Sequence, residues 1–182
     1  FEWNESSKTL NPGNYGAVHL KSGKVLKLNS SEDGVYHFKS LTFDNGAKLI
    51  IENSETSAVR VLVKGNINMA NGSQIKSDVE TKALIYSTGF VQINTGVKVY
   101  ASIVATKGTV TIGNAVKIYG QVLAKKIVNT NHSLKIFPKF FSPDNFGEEV
   151  YWELAPTGSA CGSVSTIFDR LPFPTLTVAL KP

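Results

Sequence analysis

Six lysines carry the first chemical signal in this chain. Lys27, Lys48, Lys76, Lys98, Lys117 and Lys135 each sit beside apolar residues in a short run of strand-forming types. Side chains alternate across a strand, so the lysines point outward when their apolar neighbours point inward. Stacked on one face, they make a cationic surface that attracts an anionic polymer or surface. They also have a plain structural reading, in which lysine stems cover apolar sheet and keep it from aggregating. Tyr100, Tyr119 and Phe137 form a second candidate row, each following an inward-facing residue by one. Such a row either packs as a structural stack or offers rings to a sugar. The candidate ligand face is therefore the six lysines together with Tyr100 and Tyr119.

Catalytic and metal chemistry find less support. His19, His37 and His132 are spread along the chain with no His-x-x-x-His spacing, although His19 and His37 can occupy neighbouring coils. No metal site is expected. The acids pair as Glu32 with Asp33, Asp78 with Glu80, and Glu148 with Glu149. Paired acids can hydrolyse glycosides, but all three pairs fall in loops or corners, where solvated carboxylates are the default. Ser159, Cys161 and Ser163 lack a Gly-x-Ser-x-Gly elbow or a positioned base. No glycine-rich phosphate loop precedes a helix. No catalytic residue and no cofactor is expected. Thr109 and Thr111 do not extend into a threonine ladder, which argues against an ice-matching face.

Composition narrows the partner class. The net charge is +5, carried almost wholly by lysine, with Arg60 and Arg170 the only arginines. Nucleic-acid readers lean on the arginine fork for base and phosphate contacts, so no nucleic-acid partner is expected. The lone Cys161 excludes an internal disulfide framework. No apolar run approaches the length of a membrane span, and no signal-peptide pattern is present. The chain starts at Phe1 without Met, as expected for a processed protein or a domain of a larger multidomain protein.

The elements that must position these residues are strands in a repeat. Val97-Lys98-Val99-Tyr100 recurs as Val116-Lys117-Ile118-Tyr119, 19 residues on, and as Leu134-Lys135-Ile136-Phe137, 18 further on. Ile103-Val104-Ala105 matches Val122-Leu123-Ala124, and Phe90-Val91-Gln92-Ile93 matches Thr109-Val110-Thr111-Ile112, both 19 apart. Three short strands repeating at a near-constant period are the signature of a β-solenoid. The fold expected is all-β, a right-handed, single-stranded parallel β-helix of about six three-strand coils. Earlier coils are longer because their corner loops are longer. Asp44-Asn45-Gly46 and Asn71-Gly72 mark turns between strands.

Three stretches follow. Residues 1–10, with Phe1 and Trp3, are an N-terminal cap; residues 11–137 are the β-helix; residues 138–182 are a C-terminal cap with an edge strand at Thr175–Leu180. The repeat stops at Pro138, since prolines cannot sustain a ladder. Phe140, Phe141, Phe146 and the run Val150-Tyr151-Trp152-Glu153-Leu154 make the second cap aromatic-rich.

The runs Val99-Tyr100-Ala101-Ser102-Ile103-Val104-Ala105, Val110-Thr111-Ile112 and Ile118-Tyr119-Gly120-Gln121-Val122-Leu123-Ala124-Lys125, with Asn14-Tyr15-Gly16 and Gly34-Val35-Tyr36-His37-Phe38, carry a resemblance. Over residues 11–137 the chain resembles β-helical domains of bacterial secreted and cell-surface proteins of adhesin-like, choice-of-anchor type. It is more loosely similar to bactofilins, which polymerise end to end, but differs in its irregular early coils and bulky termini. It shares an architecture with pectate-lyase-like enzymes without their clustered Asp residues. The resemblance implies a non-catalytic extracellular surface or adhesion module with a polysaccharide or anionic surface as partner. A self-assembling spacer and a polysaccharide-active enzyme are the alternatives.

Overall fold

Apolar residues at every second position of short segments leave only one way to bury them all, which is to stack the segments side by side. The computed structural model describes residues 2–3, 7–29, 34–54, 56–129 and 134–137. It shows an all-β parallel β-solenoid of about five turns, with one 3-10 turn at Glu80–Lys82 as its only helix among the described residues. Residues 2–3 and 7–10, expected as an N-terminal cap, form strands, while the expected C-terminal cap and edge strand at 175–180 lie outside the described residues.

Each turn contributes to three faces. The first face holds β7 (Val59–Val63), β10 (Ala83–Ser87) and the leading halves of β3 (Gly13–Leu20), β5 (Gly34–Phe43), β13 (Ser102–Ile112) and β15 (Val122–Asn129). The second holds β1 (Glu2–Trp3), β8 (Ile67–Met69), β11 (Val91–Ile93) and the trailing halves of the same four long strands. The third holds β2 (Ser7–Leu10), β4 (Val25–Asn29), β6 (Lys48–Glu52), β9 (Gln74–Ser77), β12 (Lys98–Val99), β14 (Lys117–Tyr119) and β16 (Lys135–Phe137). The long strands bend through the first corner unbroken, so the first two faces form one hydrogen-bonded sheet. Ser102–Ala105 and Thr109–Ile112, two segments by sequence, are one strand with a register shift between them. The described strands all pair in parallel, and the one antiparallel contact among the described residues is the isolated bridge Ser54–Ser57. The repeats legible in the sequence are in register: Lys117 lies opposite Lys98 and Lys135, and Ile103 opposite Val122.

The core is the sum of the inward columns. On the third face Leu26, Leu49, Ile75, Val99 and Ile118 follow one another rung by rung and are buried. On the second, Leu41, Ile67, Val91 and Val110 do the same. Each branched aliphatic side chain packs on the one beneath it, and full burial of such a side chain contributes about 1.5–3 kcal/mol.

The three corners solve three different problems. At the corner between the second and third faces the chain turns sharply through a left-handed residue in successive turns: Gly23, Gly46, Gly72 and Gly96 have φ of 70°, 68°, 66° and 71°. Their hydrogens face open space or ordinary contact, so dihedral freedom rather than room selects glycine. Ala115 takes the same place with φ 53°. At the corner between the first and second faces the demand is room. A Cβ on Gly108 would stand 1.9 Å from the Gly89 carbonyl oxygen, and one on Gly89 would stand 2.7 Å from that of Gly65.

The third corner, from the third face back to the first, absorbs variation in length. Early turns carry longer connections there, and buried polar side chains hold them. Tyr36 is fully buried, and its hydroxyl donates to the carbonyls of Leu10, at 3.2 Å, and Asn29. Asn53 uses both ends of its amide on Val79: its Nδ2 donates to the carbonyl at 2.8 Å and its Oδ1 accepts from the N–H at 3.0 Å. Ser77 adds a donor to the same Oδ1. The side chain thus stands in for a strand neighbour.

Two expectations follow. Ala115→Gly relieves a left-handed alanine and should raise unfolding stability by about 1 kcal/mol, whereas Gly108→Ala should lower it by about 3 kcal/mol; urea denaturation measures both. Burial pushes the Tyr36 hydroxyl up to about 12, with Tyr15 adding to the rise. Below pH 10 both folded and unfolded chains keep this proton. Between pH 10 and 12 the unfolded chain ionises first, so the Tyr36 contribution to stability, about 2 kcal/mol, is lost over that window. Tyr36→Phe should flatten that part of the alkaline decline in urea midpoints measured across pH.

Candidate ligand-binding face

All six lysines singled out by spacing lie on strands of the third face and turn outward. They do not form a single ladder. Lys48, Gln74, Lys98, Lys117 and Lys135 follow one another in one column. Lys27 lies opposite Ile50, which lies opposite Lys76, in the adjacent column two residues along the strand. That second column continues as Tyr100, Tyr119 and Phe137. The cause is the left-handed turn residue that starts each strand. Lys48, Lys98 and Lys117 stand two residues beyond Gly46, Gly96 and Ala115, whereas Lys27 and Lys76 stand four beyond Gly23 and Gly72.

The face is therefore graded. In its early turns Lys27 Nζ donates to Glu52 Oε1 at 2.7 Å, Ile50 interrupts the charge, and Gln74 replaces a lysine. In its last three rungs Lys98, Lys117 and Lys135 are all exposed in consecutive register. Rungs are about 4.8 Å apart, so three like charges repel one another, with water screening most of the cost. An anionic ligand lying along the column relieves that repulsion.

The neighbouring aromatic row is a tight stack. Tyr100 and Tyr119 have ring centroids 4.4 Å apart and 2° from parallel; Tyr119 and Phe137 are 4.6 Å apart at 9°. Parallel rings at this spacing spend their faces on each other. The stack offers edges and hydroxyls outward; Tyr119 has a ring on each face, while Tyr100 and Phe137, the latter 41% exposed, each stack on it with one face. The Tyr100 hydroxyl is raised above the ordinary tyrosine range, first by lost hydration, then by the Tyr119 hydroxyl and the Glu80 carboxylate. Tyr100 therefore stays a neutral hydroxyl that can donate to an anion.

The remaining expectations scatter. His19 and His37 are in neighbouring turns but on different faces: His19 lies opposite Thr42 on the second, and His37 opposite Leu62 on the first. The direction of strand β3 through the corner separates them. His19 Nε2 instead meets Asp44 Oδ1 at 2.7 Å. Asp78 lies just before the 3-10 turn at the third corner and Glu80 is its first residue. His132, Glu32, Asp33, Glu148, Glu149, Ser159, Cys161 and Ser163 lie outside the described residues. Among the described residues no group of three metal-ligating side chains converges, and no helix is long and apolar enough to cross a membrane. Sequence spacing alone missed Gln74 as a member of the lysine column and Glu52 as the partner of Lys27; counting from the turn glycine finds the first.

Residues 2–138 match the family described as a domain of unknown function (DUF7305), and the chain belongs to that family. No curated protein and no solved structure matches.

Proposed function

We propose that this member of the DUF7305 family is a non-catalytic extracellular surface or adhesion module that holds an anionic polysaccharide along its third face. The observation that carries the reading is the pairing of two columns over the last three rungs: Lys98, Lys117 and Lys135 exposed in register, beside Tyr100, Tyr119 and Phe137. Lysine ammonium groups attract carboxylate or sulfate along a chain without demanding the planar geometry an arginine imposes. The tyrosine hydroxyls supply neutral hydrogen bonds, and the exposed edge of Phe137 adds an apolar contact for a sugar. The stack itself stiffens the row, so little side-chain entropy is lost on binding. Lys48 and Lys76 extend the same face at lower charge density, and Lys27 is held by Glu52.

The finer architecture belongs to this reading: a right-handed coil, six coils in all, closed by aromatic-rich caps, as in bacterial cell-surface proteins of adhesin-like type. A self-assembling or spacer role is the second reading. It draws on Ile136, which continues the inward column of Ile118 yet is 43% exposed at the end of the described repeat. A chain that assembles through this end shows concentration-dependent size in light scattering.

Replacing Lys98, Lys117 and Lys135 together by Gln should weaken retention on a polyuronate resin by at least tenfold at low salt and flatten its salt dependence. Binding to neutral dextran should be weak before and after. Unchanged retention on the polyuronate would remove this face from consideration.

A further inference from the structure

We infer that the outer surface of the first face, with the corner it shares with the second, docks on an anionic lipid bilayer. This surface is separate from the glycan-facing third face and does not depend on that reading. On the first face the inward residues Val61, Ile85 and Ile103 are buried in register. The positions between them turn outward, where a sheet with one solvated face carries polar residues. Here Leu62, Tyr86, Val104 and Leu123 succeed one another on four consecutive rungs, with Leu84 in the adjoining column. These outward apolar side chains are half-buried, and Arg60, opposite Leu84, is the cation among them; such an apolar row on an outer sheet face is what a covered strand presents.

The adjoining corner supplies charge. Lys39, Lys64, Lys107 and Lys125 are exposed there and form no ion pair among the described residues. The close glycine contacts at Gly65, Gly89 and Gly108 stack this corner rung on rung, so Lys64, Thr88 and Lys107, each directly before one of these glycines, follow one another, with the Lys39 backbone against Gly65. Phe90, the most exposed large apolar side chain described at 45%, lies just beyond them. The described acidic side chains lie elsewhere: Asp44 on His19, Glu52 on Lys27, Asp78 and Glu80 at the third corner.

A flat apolar strip edged by lysines matches a bilayer with anionic headgroups. The leucines and Phe90 meet the acyl boundary while the lysine stems reach up to phosphate. A soluble polyanion would satisfy the lysines and leave Leu62, Leu84, Val104 and Leu123 in water. A second copy would cover the leucines and leave the lysine line without a role.

The test is sedimentation of the full chain with phosphatidylcholine vesicles, with and without phosphatidylglycerol. Expected is co-sedimentation only with the anionic vesicles, weakened by salt. Each of Lys64→Gln, Lys107→Gln and Lys125→Gln should lower the partition about fivefold, the equivalent of about 1 kcal/mol per lysine at such a surface. Leu62→Ser with Leu123→Ser should lower it while leaving the salt slope unchanged, with circular dichroism confirming the fold. No co-sedimentation, equal binding to neutral vesicles, or an equal loss from Lys98→Gln, Lys117→Gln and Lys135→Gln would overturn the inference. A concentration-dependent dimer abolished by Leu62→Ser would assign the strip to a second copy and overturn it as well.

Discussion

Each rung of this solenoid is stable only because another rung lies against it. A single turn has no interior: its inward side chains Leu49, Ile51 and Phe43 are buried because the turns on either side close over them. The same contact satisfies the backbone, since strand N–H and carbonyl groups find partners in the adjacent turns. Rung-to-rung contact therefore fixes the register of all three faces at once. A shift by one residue would reverse inside and outside along a whole strand. The outward columns inherit that regularity without being selected for it individually, which is how lysines far apart in sequence come to stand side by side.

The corners show how one constraint can be met by unlike means. The left-handed turn is set by dihedral angle, and Ala115 can occupy it at an energetic cost because space is available. The tight corner is set by distance, and at Gly108 a methyl group would collide with backbone. The third corner tolerates length, because Tyr36 and Asn53 supply hydrogen bonds that a regular strand would otherwise have provided. Variation in the period is concentrated there, and the later turns, with shorter connections, settle to 19 residues.

Much of this was legible in the sequence. The three 19-residue matches around Val97–Phe137 reproduce the observed register, since inward β-branched residues at fixed spacing leave few alternatives. The outward positions were harder to read. Aligning lysines with lysines put Lys27 and Lys76 in the same column as Lys48, and only the offset from the turn glycine separates them. The aromatic row was visible as a row, but its parallel stacking was not, because sequence gives no ring orientation. The outward setting of Leu62 and Leu84 carries no mark in the sequence, since an apolar run does not reveal which members face out.

The molecule that results has two cationic surfaces of different character. The third face is narrow, stiffened by stacked rings and densest in charge where Lys98, Lys117 and Lys135 line up. The opposite corner joins its lysines to an apolar sheet. The central claim concerns the first of these, and amide hydrogen exchange with and without a soluble polyuronate tests it most directly. The account predicts added protection confined to residues 98–100, 117–119 and 135–137 and fading at low numbers along the face. Protection centred on the first face, or no change anywhere, would contradict it.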